Sequence, residues 1–302
     1  MSRIYRTLVH LHEGTLINRL KVKSREYIRN RRRIWWESQI GKREHIKTKI
    51  QPGVRMRLYF DSKLSQLIYC EDFGWQERQF LNAFLMPGDV FVDVGANIGL
   101  FTLIAANIVG NTGHVYAFEP CAKTYKRLLA NVQLNRLTNV SCYQLALSDE
   151  ETQTDMAISL DGYDAWNSLA QPIAGNSFIV EKINCTTWNK FAQENNLVGR
   201  VTMMKIDVEG WELHVLKGGY DTLSRTDAPI LQVEFTEEAS KSAGSSCAEL
   251  YHMLEELGYQ MFIYDAKLKR LIPDPIREAY PYLNLIATKQ PEQIYSRLRK
   301  RL

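Results

Sequence analysis

Lys205-Ile206-Asp207-Val208-Glu209 sets an ammonium and two carboxylates within five residues, at the end of an apolar segment that reads as a buried strand. In extended backbone Met203, Lys205 and Asp207 share one side, while Met204 and Ile206 take the other. An unpaired buried charge is costly, so Lys205 and Asp207 must pair or face a polar cleft. Carboxylates beside an ammonium can bind a cationic ligand or take a proton from a hydroxyl. The plain alternative is an ion pair of Lys205 with an acid that only locks the strand. Glu234, in Val233-Glu234-Phe235, is a third acid at the end of a later strand, whereas Glu237 and Glu238 read as surface charge.

A second group lies upstream. Asp93-Val94-Gly95-Ala96-Asn97-Ile98-Gly99 follows an apolar strand and opens a helix. In a doubly wound sheet a ligand sits beyond the carboxyl ends of the strands, at such a turn. Gly95 permits a sharp turn, Asn97 tolerates left-handed backbone, and Gly99 lets the helix approach the strand. Glu119 stands 24 residues after Gly95, at the end of the next strand, where an acid accepts hydrogen bonds from ribose hydroxyls. Its plain alternative is a charge at the start of the following helix. The turn reads G-x-N-x-G rather than G-x-G-x-x-G, which counts against a nicotinamide dinucleotide.

Metal and redox chemistry are weakly signalled. None of the six histidines forms a ligand-spaced pair, and His214, just after the acidic segment, reads as structural. The acids Asp207, Glu209 and Glu234 have the chemistry of a divalent-cation site, but nothing in the spacing requires one, so no metal is expected. Five cysteines, none in a C-x-x-C pair, fit a reducing compartment rather than a disulfide scaffold.

These residues need elements to hold them. Residues 46–75 read as short strands, with period-two alternation over Val54–Phe60, and a helix follows over 76–85. Strands are then expected at 90–94, 114–118, 140–145, 201–206, 229–235, 259–264 and 282–288. Helices are expected at 100–108, 122–135, 212–223 and 247–257. Alternating strands and helices specify a mostly parallel sheet covered on both faces. A β-rich insertion at 150–187 interrupts the series, and Tyr163, Asp164, Trp166, Asn167 and Ser168 within it suit a sugar ring.

Composition sets the outer bounds. Hydrophobic residues make up 45% and charged residues 24%, which excludes a disordered or low-complexity chain. No apolar run is long enough to span a bilayer, and basic residues interrupt the N-terminus throughout, so no signal peptide is read. The net charge of +4 is unevenly spread. Residues 1–49 carry 14 Lys/Arg against 4 Asp/Glu, and residues 289–302 carry 5 against 1. An acidic body thus has two basic ends, which favour anionic surfaces or remain solvated arms. Arg29 and Arg31–Arg33 run into Trp35 and Trp36, a pattern found at membrane interfaces and also in helices that pack on a core. The reading divides the chain into a basic helical extension (1–45), a main domain (46–288) with its strand-rich lead-in (46–75) and insertion, and a basic tail (289–302).

Taken together, Asp93–Gly99 with Thr102, Ala117-Phe118-Glu119-Pro120, Lys205–Glu212 and Val215-Leu216-Lys217-Gly218-Gly219 resemble the FkbM family of S-adenosylmethionine-dependent methyltransferases, over residues 70–240. The resemblance implies a class I methyltransferase (Rossmann-like) fold: a doubly wound α/β sheet of seven strands whose last strand is antiparallel. It implies O-methylation of a hydroxyl on a small molecule, sugar or glycan. Gly95, Asn97 and Gly99, with Asp93 and Ala96, would cradle the methionine part of S-adenosyl-L-methionine. Glu119 would hold the ribose, Ala146-Leu147-Ser148 with Asp149 would border the adenine, and Asp207 would touch the cofactor. Base candidates are Asp207, Glu209 and Glu234, with Lys205 holding a carboxylate or acceptor oxygen. Trp166, Asn167, Ser168 and Trp211 would meet the acceptor. Family members often have Thr-Leu-Asp where this chain has Thr187-Trp188-Asn189, and Asn189 retains the ability to cap a helix. The expected protein is cytoplasmic, with peripheral membrane contact and homodimerisation left open. The alternatives are an RNA methyltransferase, which the basic ends favour but the Asp-Val-Glu-Gly turn does not, and a non-catalytic, membrane-associated protein that keeps the cofactor fold.

Overall fold

The computed structural model describes residues 16–159 and 178–299. In chain order, helix α1 (Leu16–Gln39) leads into a ribbon of β1 (His45–Gln51) and β2 (Val54–Tyr59), then α2 (Lys63–Tyr69) and α3 (Trp75–Phe84). The alternating part runs β3 (Val90–Val94), α4 (Leu100–Val109), β4 (His114–Phe118), α5 (Ala122–Leu134) and β5 (Val140–Tyr143). A side sheet of β6 (Ala146–Leu147), β7 (Thr152–Ser159) and β8 (Phe178–Thr186) follows, then α6 (Trp188–Glu194). The chain continues through β9 (Met203–Ile206), α7 (Glu212–Gly218), α8 (Tyr220–Leu223), β10 (Ile230–Phe235), α9 (Glu237–Ser242), α10 (Cys247–Glu256), β11 (Gln260–Asp265), β12 (Arg270–Pro273), β13 (Leu283–Thr288) and α11 (Pro291–Arg299).

The main sheet has the order β12-β11-β13-β10-β9-β3-β4-β5. Strands β5, β4, β3, β9 and β10 are parallel, and β13 lies antiparallel between β10 and β11. The order reverses beside β3, which puts a crevice at the carboxyl ends of β3 and β9. Among the described residues this sheet has eight strands, which corrects the sequence expectation of seven. The extra strand, β12, forms a hairpin with β11 at the edge. Its segment Arg270-Leu271-Ile272-Pro273 ends in proline, which weakens a strand signal and suits an edge.

Two cores sandwich the sheet. One collects α3, α4 and the inner face of the ribbon, with Phe80, Phe84, Phe91, Phe101 and Met203. The other collects α6, α7 and α10, with Trp188, Met204, Ile206, Leu216 and Phe235. Met203 and Met204 fall on opposite sides, as the alternation predicts. Helix α4 is apolar almost all round because both the sheet and the ribbon cover it.

The segment read as strands before residue 75 is only partly so. Residues 63–69 form α2, started by the Ser62 side chain accepting from the Ser65 N–H at 3.0 Å. The tryptophans of α1 are not interfacial. Trp36 is buried, its ring 4.5 Å from Phe60, and Trp35 packs on Tyr69. The helix expected over 212–223 breaks at Gly219. A side chain at Gly218 would put its Cβ 1.9 Å from the Ser148 carbonyl oxygen, so this glycine lets α7 close on β6. The outer edge of β2 is closed by side chains of α5. Asn131 accepts from Arg57 N–H at 2.7 Å, and Asn135 accepts from Arg55 N–H at 2.9 Å, each amide also donating to the matching carbonyl. No described helix is long and apolar enough to cross a membrane.

Candidate cofactor and methyl-transfer site

The turn after β3 is built on a close backbone approach. Gly95 has φ +80°, and a Cβ there would lie 1.9 Å from the Asp207 carbonyl oxygen, so only glycine fits. Asn97 adopts φ +48°, and its side chain accepts from the Ile98 N–H at 2.8 Å. Gly99 has a different neighbour from the one expected. A Cβ there would strike Leu128 of α5 at 2.7 Å, so this glycine relieves helix against helix.

The N–H groups of the turn are already engaged. Those of Gly95 and Ala96 donate to the Phe118 carbonyl at 3.1 and 2.9 Å, and that of Gly99 donates to the Ala96 carbonyl. The Asn97 N–H donates to Glu119 Oε2 at 3.0 Å. The turn therefore shapes a cavity wall rather than presenting free donors. Glu119 Oε1 accepts from the Cys121 N–H at 3.0 Å, so both oxygens are fixed by backbone and the buried carboxylate faces the cavity. Glu119 thus lines the cavity and also binds the start of α5 through the Cys121 N–H. Asn131 anchors the turn from α5 by donating to the Ile98 carbonyl at 2.8 Å.

A cavity open to solvent runs from this turn to the end of β9. Gly95, Ala96, Asn97, Glu119, Ala146, Leu147, Lys205, Asp207, Glu209 and Trp211 line it. Several candidates lie off its wall. Asp93 is fully buried, and its carboxylate accepts from the Thr102 hydroxyl at 2.5 Å. Ser148 is buried behind Trp211, whose indole N–H donates to its hydroxyl at 3.0 Å. Gly99 and Glu234 are also off the wall. Trp166, Asn167 and Ser168, with Tyr163 and Asp164, fall outside the described residues. His214 stacks on Trp211 at 3.7 Å between ring centres and does not line the cavity. Asn189 does not cap α6, a role Thr187 fills by accepting from the Lys190 N–H. Instead it holds Thr222 at the start of α8.

Sheet register places the charges. Lys205 on β9 lies between Asp93 on β3 and Gln232 on β10. Its Nζ donates to Asp207 Oδ2 at 2.5 Å and stands 4.5 Å from the centre of the Phe101 ring. Burial alone would lower the Lys205 pKa, but Asp207 and Asp93 outweigh it, and the shift is upward. One oxygen each of Asp207, Glu209 and Glu234 lies within 4.8 Å of the others, the donor spacing of an oxygen-ligand cation site. Lys205 already supplies one positive charge there. Burial, then the Asp207 charge, pushes both Glu209 and Glu234 well above the ordinary carboxylate range. Like charges this close disfavour the ionised forms of Glu209 and Glu234. Glu209 sits at φ +54°, an uncommon conformation for a non-glycine residue. Glu212 accepts from the Val208 N–H at 2.8 Å, and burial pushes its carboxyl up to about 7.

Sequence reasoning missed several contributors. Leu64, Phe73 and Phe101 wall the cavity from the ribbon side. Glu77 of α3 is buried, and accepts from the Asn284 amide at 2.9 Å across 207 residues of chain. No local pattern carries such a pairing. The helical spacing of Asn131 and Asn135 was the one available signal for the β2 edge.

The family model for the methyltransferase FkbM domain matches residues 93–261. Methyltransferase 1 of Beauveria bassiana (strain ARSEF 2860) is 29% identical over 150 residues, 44% of this chain and 59% of that protein. The 31-O-demethyl-FK506 methyltransferase FkbM of Streptomyces tacrolimicus is 44% identical over 66 residues, 22% of this chain and 25% of that protein. The chain thus spans less than two thirds of the length of either relative. Among solved structures, M. jannaschii TYW2 in complex with AdoMet is similar with a TM-score of 0.39 and 17% identity, over 82% of this chain and 85% of that one.

Proposed function

The chain belongs to the FkbM methyltransferase family, and from that premise we propose that it moves a methyl group from S-adenosyl-L-methionine to a hydroxyl of a small molecule or sugar. The observation that carries this reading is Glu119. Two backbone N–H groups aim its buried carboxylate into the same cavity that Gly95 shapes. A strand-end acid beside a glycine turn is the arrangement that accepts ribose hydroxyls.

The residues present fit the cofactor. Glu119 takes the ribose, Ala146 and Leu147 offer the adenine an apolar wall, and Gly95, Ala96 and Asn97 receive the methionine part. The surrounding acids suit a sulfonium cation. When bound, the cofactor supplies an electrophilic methyl group on positively charged sulfur. An alcohol is a weak nucleophile at neutral pH, so a base contributes, typically about 10²–10⁴-fold. Asp207 is the favoured base, since it lines the cavity and Lys205 holds its carboxylate in place. Glu209, whose carboxyl is pushed well above the ordinary range by burial and then by the Asp207 charge, has an oxygen within 4.8 Å of Asp207. Glu234 sits behind them as a buried neighbour. Trp211 gives the acceptor a flat apolar face, steadied by Ser148.

The test is transfer of radiolabelled methyl from the cofactor to a panel of sugars, polyketide alcohols and RNA. Label in an alkali-stable ether on a sugar or alcohol, lost in Asp207→Asn, supports the reading. Label only in RNA sinks it.

A further inference from the structure

We propose that the outer face of α1 and the cationic face of the β1–β2 ribbon form one docking surface for an anionic lipid bilayer. The ribbon shows the first sign. Its register sets Lys47 opposite Arg57 and Lys49 opposite Arg55. Like charges directly opposite each other destabilise a strand pair, so the fold gains nothing from this row. Among the described residues, no acidic side chain forms an ion pair with Lys47, Lys49 or Arg55.

The second sign is on α1. Arg29, Arg32 and Arg33 are anchored by Glu71 and Asp72, and Trp36 enters the core. The opposite face leaves Tyr27 64% and Ile34 60% exposed, with Ile28 and, just after the helix, Ile40 also exposed. Trp36 and the ribbon residues Val54, Met56 and Leu58 pack into one core cluster. Trp36 also meets Phe60, the residue that follows β2, with ring centres 4.5 Å apart, so the carboxyl end of α1 lies beside the end of the ribbon. Beyond the three anchored arginines, residues 25–57 hold eight Lys and Arg against three Glu.

Peripheral binding scales with buried apolar area plus electrostatic attraction to anionic lipids, and this face offers both. Single-stranded RNA would want a series of aromatic platforms among the cations, whereas the ribbon's Tyr59 is buried beneath Arg127 and leaves Tyr27 of α1 as a single exposed ring. A second copy of the chain, related by a two-fold axis, would bring the same cations face to face.

The test is co-sedimentation of the full chain with phosphatidylserine–phosphatidylcholine vesicles and with pure phosphatidylcholine vesicles. The chain should sediment with the anionic vesicles only, and salt should release it. A basic residue near such a surface is worth about 5-fold in partition. The Lys47→Glu/Lys49→Glu double variant should thus lose at least about 10-fold, and its cross-strand pairs become attractive, so its melting temperature should hold. Tyr27→Asp/Ile34→Asp should lose binding while keeping cofactor affinity. The proposal is overturned if the wild type ignores anionic vesicles, or if neither double variant changes partition. It is equally overturned if this face binds an RNA oligonucleotide instead of vesicles, or if light scattering shows a dimer that Ile34→Asp dissociates without any lipid effect.

Discussion

Gly95→Ala should disable the site through two separable costs. The first is conformational. Gly95 has φ +80°, and an alanine there costs about 1–2 kcal/mol. The second is steric. The new Cβ would lie 1.9 Å from the Asp207 carbonyl oxygen, whereas carbon and oxygen in contact sit about 3.3 Å apart. The ends of β3 and β9 must then separate by about 1.4 Å, although the Asp207 N–H is bonded to the Val94 carbonyl at 3.1 Å. Overpacking of this kind adds about 1–3 kcal/mol. At roughly 2–4 °C per kcal/mol for a domain of this size, the melting temperature should fall by about 4–20 °C. The same shift displaces Gly95, Ala96 and Asn97 in the cavity wall, so cofactor affinity should fall as well. Gly41→Ala is the control. Gly41 has φ +75° but nothing within 4 Å of its Cβ position, so that variant carries the conformational cost alone. Differential scanning fluorimetry and calorimetry with S-adenosyl-L-methionine read both quantities. If Gly95→Ala behaves like Gly41→Ala in both, the close approach of turn and strand is wrong.

Further expectations concern the acids and their supports. Asp207→Asn should lower methyl-transfer kcat by about 10²–10⁴-fold, whereas Glu234→Gln, off the cavity wall, should cost less than about 10-fold; steady-state kinetics separate the two. The Glu212 carboxyl is raised from 4.5 to about 7, so the folded protein keeps a proton that the unfolded chain releases in that window. Stability should therefore fall as pH rises from 4.5 to 7, by up to about 1.4 kcal/mol per unit, and Glu212→Gln should flatten that part of a denaturant-midpoint profile. Asn131→Ala should cost about 1–3 kcal/mol in urea unfolding, because it strands the Arg57 N–H and the Ile98 carbonyl, and it should also weaken cofactor binding by loosening the turn.

What the sequence disclosed follows from how local each signal is. The Gly95–Gly99 turn, Glu119 and the Met203–Asp207 alternation are each written within a few consecutive residues. Strand periodicity alone then predicts that Lys205 and Asp207 share a side, and the ion pair confirms it. Pairings across long separations were not legible. Asn284 with Glu77, and the α5 asparagines with β2, depend on topology that no single window contains. The eighth strand was hidden by its proline and its short length. The partners of the glycine turn's donors were hidden for a related reason. Their engagement by Phe118 and Glu119 appears only once β4 lies beside β3.

The most direct measurement is calorimetric titration of S-adenosyl-L-methionine into the wild type and Glu119→Ala, with NADH in parallel. Both backbone N–H groups that hold Glu119 lie at 3.0 Å, so the variant loses the ribose acceptor and leaves two donors unmatched. The account predicts micromolar binding by the wild type, a loss of at least about 10-fold in the variant, and no NADH binding. Absent cofactor binding, binding indifferent to Glu119, or NADH binding instead would contradict the assignment of this cavity to a methyl donor.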